Sequence, residues 1–260
     1  TYPIEIIVDG ICPNYINDPN NANCGNDGNL SYTRKMYSNR AIDNAMWYLF
    51  RQAIHKTNDS LLHDEHLCYI PGTQTLYTTG HTLNVFLRRG HGYGANRDND
   101  PYYRNLTQCG LHSILATMQL KNIGFTDTDT LGTQGKGMEF VALNNLNASF
   151  WSSYESTAWS EPLANFGNPD YISPVGRVGI YNTSLKNIGQ DLIDGLLQCT
   201  TSDGAWFYTC MNMTGITNDA STNGWAPEAI RLLKRKFYNI DYDSFKNKQR
   251  TWLSIYCPNG

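Results

Sequence analysis

Five carboxylates in the chain carry side chains that could work as a pair on a glycosidic bond: Glu139, Asp191, Asp194, Asp203 and Asp219. Such cleavage needs two carboxyl groups at a set separation, one to protonate the leaving oxygen and one to attack or to activate water. Asp191 and Asp194 are the best placed, because a spacing of three puts them on one face of a helix. The chemistry of cations has weaker candidates. Asp127-Thr128-Asp129-Thr130 offers two carboxylates in a Gly/Thr-rich loop, and residues 17–29 are rich in oxygen ligands but lack the register of a calcium-binding loop. His63 and His66 flank Asp64 and Glu65, with Cys68 just beyond, but the His-Glu-x-x-His arrangement of a zinc helix is absent. Nucleophile-elbow, phosphate-loop and dinucleotide-binding motifs are also absent. No cofactor is therefore expected.

Seven cysteines, at 12, 24, 68, 109, 199, 210 and 257, lack the close spacing that metals prefer. Cys12 and Cys24, and again Cys199 and Cys210, bracket short turn-rich segments that a disulfide can close. The odd total leaves one thiol free or joined to another chain. Six Asn-x-Ser/Thr sequons lie at Asn29, Asn58, Asn105, Asn147, Asn182 and Asn212. That is a slight excess over the roughly four that chance would give, so glycans are compatible with the chain and not required by it. Both features suit an oxidising compartment.

A net charge of −3 supplies no basic footprint for nucleic acid. No stretch approaches the ~20 apolar residues that span a bilayer, so membrane insertion is not expected. The chain opens on Thr1, and a helix-like run from Asp243 to Ile255 sits just before its end. A removed leader, or an excerpt from a longer protein, is expected from these two ends.

The elements that must position these residues recur along the chain. In 186–208, Ile188, Leu192, Ile193, Leu196 and Leu197 fall on one helical stripe, a Ser202-Asp203-Gly204 turn follows, and Trp206-Phe207-Tyr208 comes next. Weaker copies occupy 40–54 and 103–119. Units of this kind cannot bury their apolar stripes alone and must stack. The spacing predicts helices over 38–55, from Thr79 to Gly90, from Pro101 to Met118, from Gly135 to Leu146, over 183–199 and over 219–238. Residues 150–180, with Pro162, Pro169 and Pro174, read as a long connection. Residues 1–37 read as an extended arm and polar loop, and 38–260 as one helical domain. Trp206 is expected to pack between neighbouring hairpins.

These units resemble the repeat of the prenyltransferase and squalene–hopene cyclase superfamily, whose α/α hairpins close into a toroid. The resemblance runs through Thr79-Gly80-His81-Thr82 to Arg89-Gly90-His91-Gly92, Asp100-Pro101-Tyr102-Tyr103 with Gly110-Leu111-His112, Gln190-Asp191-Leu192-Ile193-Asp194 with Asp203-Gly204-Ala205-Trp206, and Asn218-Asp219 with Trp225-Ala226, covering about residues 38–255. It implies a toroidal fold but not the family's chemistry. The cyclases' Asp-x-Asp-Asp acid is matched only by Asp127-Thr128-Asp129-Thr130, which lacks the last Asp, and the zinc ligands of the protein prenyltransferases are missing.

The expected fold is thus all-α: a partial α/α toroid of about three helical hairpins with an extended N-terminal arm. The expected role is that of a secreted, non-enzymatic structural or binding protein at or outside the cell surface, self-assembling into a homo-oligomer or fibre. A carbohydrate-active enzyme using Asp191 and Asp194 on a concave face is the alternative, and a terpene-cyclase-like enzyme the third.

Overall fold

The computed structural model describes residues 30–56, 67–70, 75–93, 101–122, 132–142, 145–150, 153–201, 204–206 and 220–237, with isolated positions between 246 and 254. Among them are six helices: α1 (Leu30–Gln52), α2 (Thr75–Arg88), α3 (Pro101–Ala116), α4 (Ser153–Asn165), α5 (Leu185–Gln198) and α6 (Ala220–Phe237). Five strands accompany them: β1 (Ile54–Lys56), β2 (Leu67–Tyr69), β3 (Met118–Asn122), β4 (Lys136–Ala142) and β5 (Asn145–Phe150). The chain divides into two units, 1–48 and 49–260. In the first, the described residues form most of α1, on which Ile42, Trp47 and Tyr48 are exposed. The second holds all the other elements.

The second unit is mostly helical, roughly the all-α class expected, with short antiparallel strands added. β1 and β2 pair antiparallel, and β3-β4-β5 form an antiparallel sheet. The stretch from Gly135 to Leu146, expected to be helical, is β4 and the start of β5. Its apolar residues fit both periods, since Met138, Phe140 and Ala142 alternate. A partner decides between them: Met118 pairs with Phe140, Leu120 with Met138 and Asn122 with Lys136. Gly132 and Gly135, at φ of 73° and 69°, form the turn that delivers β4 to this register. For the same reason the third predicted helix stops at Ala116, and its last residue, Met118, opens β3.

Two other expectations give way. α1 begins at Leu30 rather than at Ser38, and the connection over 150–180 contains a helix, α4. Pro162 lies inside α4 and cannot give an N–H to the Ala158 carbonyl one turn back. That carbonyl is where α2 approaches, because a Cβ on Gly80 would lie 2.5 Å from Ala158 O. The proline that argued against a helix therefore sits at a helix–helix contact. α2 and α4 run in the same direction: Gly80 meets Ala158, Asn84 meets Glu161 and Asn165, and Gly92 beyond α2 meets Phe166 beyond α4.

α5 is buried round its circumference. It contacts β4, α4 and α6. One face presses on β4, where a Cβ at Gly195 would lie 2.5 Å from Met138 O, and another on α6, where Gly189 faces the Phe237 ring. Its first free N–H groups are taken by loop carbonyls, Leu185 N by Tyr171 O at 3.0 Å and Lys186 N by Pro169 O at 2.9 Å. Trp206, 1% exposed, joins α5 to α6. Its indole N–H donates to Leu196 O at 2.9 Å, its backbone N–H donates to Asn223 Oδ1 at 2.8 Å, and Asn223 Nδ2 donates back to Trp206 O at 3.2 Å.

A disulfide between Cys68 on β2 and Cys109 on α3, with Cα atoms 5.1 Å apart, ties the small sheet to the helices. Beside it Ser113 Oγ donates to Cys68 O at 2.6 Å, and Ile70 N donates to Thr79 Oγ1 at 2.9 Å. No described helix is long and apolar enough to cross a membrane.

Candidate functional site

Polar side chains gather where α4 packs against both α2 and α6. α2 contributes His81, Asn84 and Arg88, whose spacing of three and four keeps them on one face. α4 contributes Glu161 and Asn165, one turn apart, and α6 contributes Trp225, Glu228 and Arg231. Glu161 is the centre, with a side chain 13% exposed. Asn84 Nδ2 donates to its Oε2, and Arg88 donates to its Oε1 at 3.3 Å. Asn165 Nδ2 donates to Asn84 Oδ1 at 2.8 Å, so the buried Asn84 amide is oriented from both sides.

His81 closes one end of this seam. Its ring lies 5.8 Å from the Trp225 ring at 67°, an edge-to-face contact between α2 and α6. Burial holds the imidazole below its usual range, against the opposing pull of the Glu161 carboxylate, so it is neutral at pH 7. At the other end Arg231 donates to Glu228 at 2.7 and 2.6 Å. That pair of bonds holds the Glu228 carboxyl down against burial, and the charge of Arg88 adds to the effect. The seam thus carries two carboxylates, two guanidiniums and one neutral imidazole.

A second cluster surrounds Tyr171. Its ring packs edge-on against Phe166 and Tyr93, with centroids at 5.1 and 5.7 Å. Its hydroxyl shares a 2.8 Å hydrogen bond with His112 Nε2. Burial pushes His112 down to about 4. Burial also raises Tyr171, and Gln108, bonded to the hydroxyl, pulls the other way. A raised phenol beside a neutral imidazole is a packed hydrogen bond and not an activated base.

Asp191 and Asp194 do share a helix, but they are 0% and 2% exposed and line no open face. Asp191 accepts from Thr133 N at 2.5 Å and from Thr133 Oγ1 at 3.2 Å, fastening the turn before β4. Asp194 Oδ1 accepts from Gln190 Nε2 at 3.0 Å. α5 packs against β4, α4 and α6, and Asp191 faces the turn that leads into β4. Glu139 lies on β4, while Asp203 and Asp219 lie outside the described residues, as do Asp127, Asp129, His63 and His66. Cys68, just beyond those histidines, is spent in its disulfide. Among the described residues no three His, Cys, Asp or Glu side chains converge on a metal position.

Cys12, Cys24 and Cys210 lie outside the described residues. Cys199, at the C-terminal end of α5, is disulfide-bonded. Cys68 and Cys109 are joined to each other, so the partner of Cys199 also lies outside the described residues. Of the sequons, Asn105 is exposed on α3, Asn182 is exposed in the loop before α5, and Asn147 lies on β5. Asn29, Asn58 and Asn212 fall outside.

The sequence hides the seam because the three prolines of residues 150–180 point to a connection where α4 stands. The signal was present, as Glu161 and Asn165 have helical spacing, and so do His81, Asn84 and Arg88. No family model, curated protein or solved structure matches this chain.

Proposed function

We propose that this is an extracellular, non-enzymatic binding protein, built on an α/α-toroid-like helical frame and stapled by disulfides. The observation that carries the reading is the seam over α4, an oriented set of planar polar groups flanked by a partly open indole. Its charged groups are paired with opposite charge or amide, which suits recognition. A general acid would instead need a carboxyl raised towards neutrality, and Glu228 is displaced in the opposite direction. The packing of α2 on α4 and of α4 on α6, with α3 and α5 between them in sequence, supports the toroid-like frame. The Cys68–Cys109 bond and the bonded Cys199 support an oxidising compartment. Self-association belongs to the same proposal, and the exposed Ile42, Trp47 and Tyr48 of α1 are apolar groups it would cover.

The test is turnover against a panel of polysaccharides, with Asp191→Asn, Asp194→Asn and Glu161→Gln alongside the parent, together with sedimentation of the parent. No product from any chain, and a mass above that of one copy, are expected. Product that vanishes in one of the variants without loss of folding overturns the non-enzymatic reading. A monomer at high concentration removes self-association.

A further inference from the structure

We infer that the seam binds an uncharged, polyhydroxylated ligand, a carbohydrate, with Trp225 as the stacking platform and the groups around Glu161 as hydroxyl partners. The inference rests on the binding reading above and names the ligand class.

Charge is the first argument. Glu161 and Glu228 are balanced by Arg88 and Arg231, and His81 is neutral at pH 7. A seam that sums to zero has no net attraction for a phosphate or an anionic polymer, and none for a cation. It nevertheless offers dense hydrogen bonding in both senses, which is what vicinal hydroxyls require because each donates and accepts.

Shape is the second. Trp225 is 36% exposed yet fixed edge-on by His81, so part of its surface is available and its orientation is set. Next to it Gly224 opens onto free space, since a Cβ there would meet no atom within 4 Å. The axially presented C–H groups of a sugar ring make an apolar face that lies on an indole, and its equatorial hydroxyls then reach sideways to planar groups. Arg88, with a side chain 61% exposed, and the edges of Glu161 and Asn165 are such groups, and the buried Asn84 amide holds the two α4 side chains in place before any ligand arrives. From His81 to Arg88 the α2 side of the seam extends ~10 Å along the helix, enough for more than one ring.

The experiment is calorimetric titration of the full chain with maltohexaose, cellohexaose and chitohexaose as neutral probes, and with heparin hexasaccharide and ATP as anionic ones. Saturable binding of at least one neutral probe is expected. Trp225→Ala should weaken it by about tenfold or more, while Trp225→Phe, which keeps an aromatic face, should retain most of it. Circular dichroism on both variants separates lost binding from lost folding, and the Phe variant keeps the test decisive where the Ala variant does not fold. Absence of binding to every neutral probe, equal binding by parent and Trp225→Ala, or binding confined to heparin or ATP overturns the inference. Reducing ends are counted in the same samples. Cleavage that Glu161→Gln abolishes overturns the non-enzymatic reading while leaving the sugar site standing. A thermal-shift response to an unrelated small molecule, with no sugar bound, overturns the carbohydrate assignment alone.

Discussion

Replacing both Cys68 and Cys109 by Ala removes a cross-link whose contribution can be worked from the loop it closes. The two residues are 41 apart in sequence. In the chain-entropy account, a loop of that length restricts the unfolded chain by about 4 kcal/mol, more than a short loop would. Both sulfurs are buried, and Ala fills their sites only in part, so a small packing loss adds to the entropy. For a protein of this size each kcal/mol moves the melting temperature by roughly 2–4 °C, which puts the fall at ~8–16 °C. Urea unfolding is the sharper assay, because the source of the effect shows in its slope. If the bond acts on the unfolded state, the double variant unfolds at lower urea and with a larger m-value, since its released chain exposes more surface. The local contacts of Ser113 with Cys68 O and of Thr79 with Ile70 N should hold β2 in place, so far-ultraviolet circular dichroism stays close to the parent's. An unchanged midpoint, or free thiols at both positions in the parent by peptide mapping, would refute the reasoning.

Three further outcomes are expected. Gly195→Ala should destabilise by about 1–3 kcal/mol in thermal melts, because the added methyl meets the Met138 backbone at 2.5 Å; an unaltered melt would show that β4 yields freely. His112, at about 4 when folded and 6.5 when unfolded, takes up a proton in the unfolded chain first, so stability falls as pH drops from about 6.5 to about 4. The loss is of the order of 3 kcal/mol, and urea midpoints across that window should flatten in His112→Gln; equal slopes in both chains would remove His112 as the cause. Secretory expression should place a glycan on Asn182, an exposed turn residue at φ 60°, and Asn182→Gly should lose its mass without loss of stability, since Gly accepts that backbone; a bare Asn182 in mass spectrometry refutes it.

Much of the helical content was legible. The stripe of Ile188, Leu192, Ile193, Leu196 and Leu197 placed α5 to within two residues, and the Asp100-Pro101 start placed α3. Composition and hydropathy alone argued against a basic surface and against a spanning helix. Local spacing records a residue's own period and its own breakers, and such signals are carried within a few residues. What it cannot record is the partner. Lys136–Ala142 is a strand because β3 lies beside it, and Ser153–Asn165 is a helix although it contains Pro162, packed where Gly80 of α2 comes up against the Ala158 carbonyl. Asp191 and Asp194 show the same limit at the level of chemistry. Both lie on α5, but they are buried there, and Asp191 is spent on Thr133 instead of a substrate. Cys68 and Cys109 meet across 41 residues with no short segment to suggest it. The seam of Glu161, Asn84, Arg88, His81 and Trp225 is assembled from three helices distant in sequence. Its residues were all in view, but which of them share one volume is decided by the packing of α4 on α2 and α6.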